Sequence, residues 1–207
     1  MAVSLEPMTK SFAITWDYRC PFARNANEHL MTGLAGGADW DVRFLAFSLE
    51  QAHVEEGGKA VWEEPERYPA LLPMLAGLVV RDREPDQFLA AHAAIFAIRH
   101  AHGLDLRDRD VVAKALDDVG VDGAGVLAAI DDGWPLDLLQ NDHTEAVKTW
   151  DVFGVPTFIS GDEAVFVRLM NRPAGDAAVA IATIDRVLDE VDGWLDLNEF
   201  KRTKVLR

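Results

Sequence analysis

The chain has 207 residues and a formal net charge of −15, and 49% of its residues are hydrophobic. A hydrophobic share of this size is typical of a packed domain and argues against an intrinsically disordered chain. The acidic excess argues against binding to nucleic acid or to an anionic membrane surface, because both need clustered Lys and Arg. No apolar run reaches the about 18 residues that a membrane-spanning helix needs.

The compartment follows from the cysteine count. Cys20 is the single cysteine of the chain, so an internal disulfide bond is impossible. The start of the chain, residues 1–10, also lacks the basic segment and apolar stretch of a secretory signal peptide. Both features are typical of the reducing cytoplasm. We therefore expect a cytoplasmic protein, either a monomer or a homodimer.

The first half of a sheet is predicted before residue 48. Apolar side chains alternate along residues 11–16, which indicates a strand. A helix is predicted from Pro21 to about Met31, where glycines follow. A second alternating run, residues 40–47, indicates another strand. A helix of this length between two strands is typical of a βαβ unit with parallel strands.

The middle of the chain, residues 48–153, is predicted to be helical. Prolines predict a kinked or partly looped segment over residues 61–80. Strand character returns at 156–160 and 164–169, joined by a turn, and a final helix is predicted over 175–191. The order β-α-β, helical block, β-β-α predicts an α/β, thioredoxin-like fold with a large all-helical domain inserted after the second strand. We expect a thioredoxin-like domain of residues 1–48 plus 150–207, and an inserted domain of residues 49–149.

Cys20 lies at the junction of the first strand and the first helix. A thiol at a helix N-terminus faces free backbone N–H groups and the positive end of the helix dipole, which favour the thiolate. We therefore expect a partly exposed nucleophile with a pKa below the usual about 8.5. A lone cysteine is more often a small buried hydrophobe. Asp17 would raise the pKa of the thiol and Arg19 would lower it, and the sequence leaves open which of the two points inward.

Two motifs carry a resemblance to a known family: Asp17-Tyr18-Arg19-Cys20-Pro21-Phe22-Ala23 and Gly154-Val155-Pro156-Thr157-Phe158. With the helical block between them, the chain resembles the DsbA-like branch of the thioredoxin superfamily. It looks closest to the actinobacterial-type members related to FrnE and to mycothiol-dependent reductases. The resemblance implies a cis Val155–Pro156 peptide bond that faces Cys20, and a Val155 backbone that pairs with an extended thiol substrate. The substrate-binding and thiol-binding residues that it implies are Asp17, Arg19, Pro21, Phe22, Ala23, Val155 and Pro156.

The chain departs from the family at Ala23, where disulfide oxidoreductases of this type usually carry a second cysteine. A mixed disulfide at Cys20 therefore has no internal thiol to resolve it. Our leading prediction is a monothiol thiol-disulfide oxidoreductase with Cys20 as nucleophile. It would use a small thiol, mycothiol or glutathione, as co-substrate and no tightly bound cofactor.

Two alternatives stay open. In glutathione transferases of the kappa type and in 2-hydroxychromene-2-carboxylate isomerases, the position of Cys20 holds a serine that binds glutathione. The second alternative is a binding protein that kept the fold and lost its redox activity.

We expect no metal site. His92, His100 and His102 lie on or near one helix of the inserted block, but their spacing does not give a compact ligand pair. We expect these three to be surface or capping residues, and His29 to lie on the surface.

Overall fold

The structure is a computed structural model that describes residues 9–199 and 201–203, so most of the predicted leader, residues 1–10, lies outside the described residues. A four-stranded sheet forms the centre, in the order β2-β1-β3-β4. Its strands are β1 (Lys10–Trp16), β2 (Trp40–Ala46), β3 (Thr157–Ser160) and β4 (Glu163–Phe166). β1 pairs with β2 in parallel and with β3 antiparallel, and β3 pairs with β4 antiparallel. The predicted parallel pairing of the first two strands is therefore confirmed.

The helices are placed as the sequence pattern suggests, with different bounds. They are α1 (Pro21–Ala35), α2 (Leu49–Ala52), α3 (Tyr68–Arg83), α4 (Phe88–His100), α5 (Arg109–Asp117), α6 (Gly123–Asp131), α7 (Trp134–Trp150) and α8 (Ala177–Gly193). Helices α2 to α7 lie between β2 and β3 in the chain. α1 packs against α8 beside the sheet. In the part of the chain that is described, no helix is long and apolar enough to cross a membrane.

Two helix boundaries differ from the prediction for physical reasons. α1 continues past Met31 and through Gly33 to Ala35. Gly33 is an interior glycine because a Cβ atom there would lie 2.4 Å from the Trp40 ring. Residues 61–80 were predicted to be kinked or partly looped, but α3 runs through Pro73. The residues 71–80 are all buried, so tertiary packing outweighs the loss of one helical hydrogen bond at the proline.

A partly buried ion pair fixes the helical block to the outer strand of the sheet. The Arg81 Nη1 group of α3 donates to the Phe44 carbonyl oxygen at 3.0 Å. The Ala46 N–H group donates to Asp142 Oδ2 of α7 at 2.9 Å. Arg81 and Asp142 also form a salt bridge with each other. The carboxyl end of β2 is therefore held by side chains of α3 and α7.

Candidate active site around Cys20

Cys20 is the N-cap residue of α1, in the turn that follows β1. Its backbone is extended, with φ −88° and ψ 119°, and its N–H group donates to the Asp17 carbonyl oxygen at 3.1 Å. Pro21 occupies the first helical position, where no N–H group is needed. The Ala23 N–H group donates to Cys20 Sγ at 3.4 Å. The sulfur therefore caps the helix as a serine hydroxyl would.

Val155 closes the other side of the sulfur. Cys20 Sγ donates a hydrogen bond to the Val155 carbonyl oxygen at 3.3 Å, across a sequence separation of 135 positions. The Val155–Pro156 peptide bond is cis. The fold thus brings the two sequence motifs into direct contact at the thiol. This is the arrangement that the family resemblance implies.

Two threonines hold the Val155 segment in place. The Thr157 N–H group donates to Thr15 Oγ1 at 2.8 Å, and the Thr15 hydroxyl donates to the Gly154 carbonyl oxygen at 3.3 Å. The Thr157 hydroxyl donates to the same carbonyl at 2.8 Å. Both threonines are buried. β1 therefore positions the Val155 carbonyl oxygen opposite Cys20 through fully satisfied polar groups.

The predicted pKa shift of the thiol is wrong in direction. Cys20 is only 9% exposed. Burial raises the pKa of the Cys20 thiol above its usual value, and the charge of Asp17 raises it further; the backbone N–H groups of Ala23 and Phe22, and the Arg168 cation, lower it by less. The hydrogen bond to Val155 also favours the protonated form, because only the thiol can donate it. The resting site holds a neutral thiol.

The structure resolves the open question about Asp17 and Arg19. Asp17 points inward: it is 1% exposed, and its carboxylate accepts hydrogen bonds from the Arg19 N–H group at 2.8 Å and the Leu49 N–H group at 2.9 Å. The Arg19 guanidinium forms a salt bridge with Glu50 of α2, and its Nε atom also lies 3.5 Å from Asp17 Oδ1. Asp17 therefore fixes the turn before Cys20, and Arg19 links that turn to the helical block.

A buried polar chain lies beneath the site, and the sequence prediction missed it. His92 was expected near the surface but is fully buried in α4. Its Nδ1 atom lies 2.8 Å from the Tyr18 hydroxyl oxygen, and its Nε2 atom 3.0 Å from Asn27 Oδ1. Asn27 Nδ2 donates to the Ala23 carbonyl oxygen at 2.8 Å. Since Asn27 Oδ1 is an acceptor, Nε2 carries the imidazole proton and Tyr18 donates to Nδ1.

Of the other histidines with a predicted position, His29 differs from the expectation, whereas His102 is on the surface as predicted. His29 is 4% exposed, and its Nε2 atom lies 3.1 Å from the Asn171 carbonyl oxygen. His100 is half-buried, with Nε2 2.8 Å from the Tyr18 carbonyl oxygen. His102 is exposed. The Nε2 atoms of His29 and His100 satisfy backbone carbonyl groups. Spacing along one helix does not reveal this role.

A strip of aromatic rings and one cation borders the site, and we call it the aromatic strip: Phe22, Arg168, Phe166 and Phe153. The Arg168 guanidinium carbon lies 5.5 Å from the centre of the Phe22 ring and 5.9 Å from that of Phe166. The Phe166 and Phe153 ring centres are 5.3 Å apart. Phe153 is 74% exposed. Phe22 was a predicted site residue, and the other three were not.

The register of the β3–β4 hairpin places the aromatic strip beside the Val155 segment. Thr157 pairs with Phe166, and the Val167 N–H group donates to the Pro156 carbonyl oxygen at 3.0 Å. The end of β4 therefore lies beside the start of β3, next to Val155. The linings of two clefts, of about 550 and 530 Å³, do not include Cys20.

The predicted site residues fall into two groups. Cys20, Pro21, Phe22, Ala23, Val155 and Pro156 surround the sulfur or border it. Asp17 supports the turn from behind, and Arg19 is turned away toward α2. Ala23 is fully buried and reaches the sulfur through its backbone N–H group. The first group therefore lies at the sulfur, whereas Asp17 and Arg19 belong to the turn before it.

Comparison with known proteins gives matches for the sequence and for the fold. The sequence profile of the DSBA-like thioredoxin domain matches residues 14–171. The uncharacterized protein Rv2286c of Mycobacterium tuberculosis is 32% identical over 171 residues, which are 82% of this chain and 73% of that protein.

Solved structures resemble most of the chain. A 2-hydroxychromene-2-carboxylate isomerase gives a TM-score of 0.61 at 17% identity, over 87% of this chain and 97% of that one. The cytosolic disulfide reductase DsbM from Pseudomonas aeruginosa, solved with GSH, gives 0.59 at 14% identity, over 86% and 98%. The oxidoreductase NmDsbA1 from N. meningitidis gives 0.55 at 19% identity, over 91% and 87%. At these identities the likeness concerns the fold.

Proposed function

The chain belongs to the DSBA-like thioredoxin domain family, and on that basis we propose that it is a thiol-disulfide oxidoreductase that works with one cysteine and a small free thiol. One observation carries this proposal: Cys20 Sγ lies between the Ala23 N–H group and the Val155 carbonyl oxygen, with alanine at the position of the second cysteine. We propose mycothiol or glutathione as the small thiol, and the cytoplasm as the compartment. The cytosolic DsbM, solved with GSH, supports both choices.

The chemistry is a pair of exchange reactions. The Cys20 thiolate attacks the small-thiol sulfur of a mixed disulfide between the substrate and the small thiol. A new S–S bond forms between Cys20 and the small thiol, and the substrate leaves as a thiolate. A free molecule of the small thiol, as thiolate, then attacks the small-thiol sulfur of the Cys20 adduct and releases the Cys20 thiolate together with the disulfide of the small thiol. Each cycle consumes one free small thiol, the substrate ends as a thiol, and the protein is unchanged.

The neutral resting thiol shapes the pH dependence of this reaction. The proton leaves Cys20 before attack, and the bond to the Val155 carbonyl oxygen breaks at that moment. The Ala23 and Phe22 N–H groups, which lower the pKa of Cys20, stay in place to stabilise the thiolate. A thiol of higher pKa is a stronger nucleophile once ionised. We therefore expect the exchange rate to rise with pH through the neutral range.

The test is adduct formation followed by mass spectrometry. Incubation with glutathione disulfide is expected to add one glutathione to Cys20, and excess free thiol should remove it. Cys20→Ser is the control and should form no adduct. The proposal would be contradicted if the folded wild-type protein forms no adduct with glutathione disulfide up to the pH at which free cysteine reacts.

A second candidate function rests on the protonated state of the thiol. Cys20 caps α1 and donates a hydrogen bond, as would the serine that the kappa-type transferases and the 2-hydroxychromene-2-carboxylate isomerases carry there by resemblance. The isomerase structure shares the fold. Cys20→Ser separates the two functions: an exchange enzyme loses all activity, whereas an enzyme that only hydrogen-bonds its thiol cofactor keeps it.

A further inference from the structure

We propose that Arg168 is a specificity-determining residue of the Cys20 site, and that the thiol substrate carries a carboxylate that it binds. This inference rests on the proposed function, because it names the substrate class of the same site. Glutathione carries carboxylates and mycothiol does not, so the inference also chooses between the two small thiols.

The position of Arg168 is the first argument. Its cation is close enough to lower the pKa of the Cys20 thiol, and it lies over the ring of Phe22, two residues from Cys20. The guanidinium therefore lies on the Phe22 side of the sulfur, where it can meet a group held on Cys20 as a mixed disulfide. The side chain is exposed, so a ligand reaches it without a conformational change.

The lack of a competing carboxylate is the second argument. Within residues 9–199 and 201–203, no acidic side chain forms a salt bridge with Arg168. The Glu199 carboxyl group lies close enough for the positive charge of Arg168 to contribute to lowering its pKa. The Glu199 carboxylate is already paired with Lys201. The Arg168 guanidinium is therefore available to an anionic ligand.

The aromatic rings supply the third argument. Contact with the faces of Phe22 and Phe166 restrains the guanidinium and removes part of its hydration, which strengthens its attraction for an anion. Exposed Phe153 extends the strip as an apolar surface for the carbon chain of the same ligand. An anion with an apolar stem matches the strip better than a neutral sugar does.

The test compares two symmetric disulfides of similar size, the anionic dithiodiglycolate and the neutral bis(hydroxyethyl) disulfide. The measured quantity is the ratio of their rates of adduct formation on Cys20, at about 0.15 M salt, where distant charges are largely screened. The ratio cancels any change in the nucleophilicity of the thiol. Arg168→Gln should lower the ratio by about 1.5- to fivefold, the range of an exposed ion pair. Arg168→Lys should keep most of it.

Arg172→Gln is the matched control, because it removes the same charge from an exposed arginine that pairs with Glu28 instead. It should leave the ratio unchanged. An unchanged ratio in Arg168→Gln, or an equal fall in Arg172→Gln, would overturn the inference and leave the proposed function intact. If neither disulfide forms an adduct with the wild-type protein, the proposed function fails and the inference falls with it.

Discussion

Ala23→Cys restores the missing second sulfur and tests whether the Cys20 junction has the geometry of a redox-active pair. Position 23 is one helical turn from position 20, so the two side chains share a face of α1. The Ala23 N–H group already lies 3.4 Å from Cys20 Sγ. We expect the variant to form an internal disulfide and to oxidise a reduced, unfolded protein stoichiometrically. The wild-type protein should fail to do so without an added small thiol.

The stability of the variant depends on two opposing effects. Ala23 is fully buried, so one added sulfur atom overpacks the core and costs about 1–3 kcal/mol in the reduced protein. Closing a loop of about four residues stabilises the oxidised protein by about 2 kcal/mol. The oxidised variant should therefore be nearly as stable as the wild type. The reduced variant should melt about 4–8 °C below the oxidised one.

Mass spectrometry detects the disulfide as the loss of two hydrogen atoms, and thermal unfolding with and without reductant gives the difference in stability. Ala26→Cys is the matched control. Ala26 is also fully buried in α1, but it lies about 9 Å along the helix from Cys20, beyond the reach of a disulfide. If Ala23→Cys folds and stays reduced under mild oxidant, the two positions do not face each other and the redox interpretation of the junction is wrong.

Three further predictions test the surroundings of the site. Asp17→Asn removes a charge that raises the pKa of the Cys20 thiol, so alkylation of Cys20 should become faster at neutral pH. The variant also loses one charge-assisted hydrogen bond, which should lower the free energy of unfolding by about 1.5–3 kcal/mol. Burial lowers the pKa of His92 to about 3, so its stabilisation is complete above its unfolded pKa of about 6.5 and is lost as pH falls from there toward 3. Urea titration at pH 5 should show a loss of about 2 kcal/mol relative to pH 7 that disappears in His92→Gln. Gly77→Ala places a Cβ atom 2.4 Å from the Tyr18 hydroxyl oxygen and should destabilise by about 1–3 kcal/mol, whereas Gly193→Ala, with no atom within 4 Å, should not.

For each of these three variants, one result would contradict the prediction. An unchanged alkylation rate in Asp17→Asn would show that its charge does not reach the sulfur. An identical pH response in His92→Gln would assign the acid sensitivity to other groups, of which His143, with a pKa lowered to about 4 by burial, is the first. A stable Gly77→Ala protein would mean that α3 does not approach Tyr18 as closely as the structure shows.

The order of the elements along the chain and the two motifs around Cys20 and Pro156 were predictable because they depend on local patterns. Alternating apolar residues, Cys20-Pro21 at a strand–helix junction and the turn at Gly161 are each visible in a few consecutive residues. The parallel pairing of β1 and β2 then follows from the length of the connection.

The electrostatics of the site were not predictable, because they come from contacts between distant segments. The raised pKa of Cys20 results from burial under the Val155 segment. His92 looked like a surface residue by spacing, and its burial depends on how α4 packs against Tyr18 and Asn27. Arg168 becomes part of the site only through the register of the β3–β4 hairpin. A sequence pattern predicts which elements form and not which polar groups become neighbours.

The hydrogen bonds that Arg81 and Asp142 form with the backbone of β2 have a consequence for solubility. β2 is an outer strand of the sheet, and the outer strand of a sheet is where a second chain adds by strand pairing and starts aggregation. The Phe44 carbonyl and the Ala46 N–H group, which such a chain would use, are already bonded to side chains of α3 and α7. A partially unfolded molecule in which the helical block detaches would expose them together. Aggregation during heating should therefore begin with the loss of that block, before the sheet itself melts.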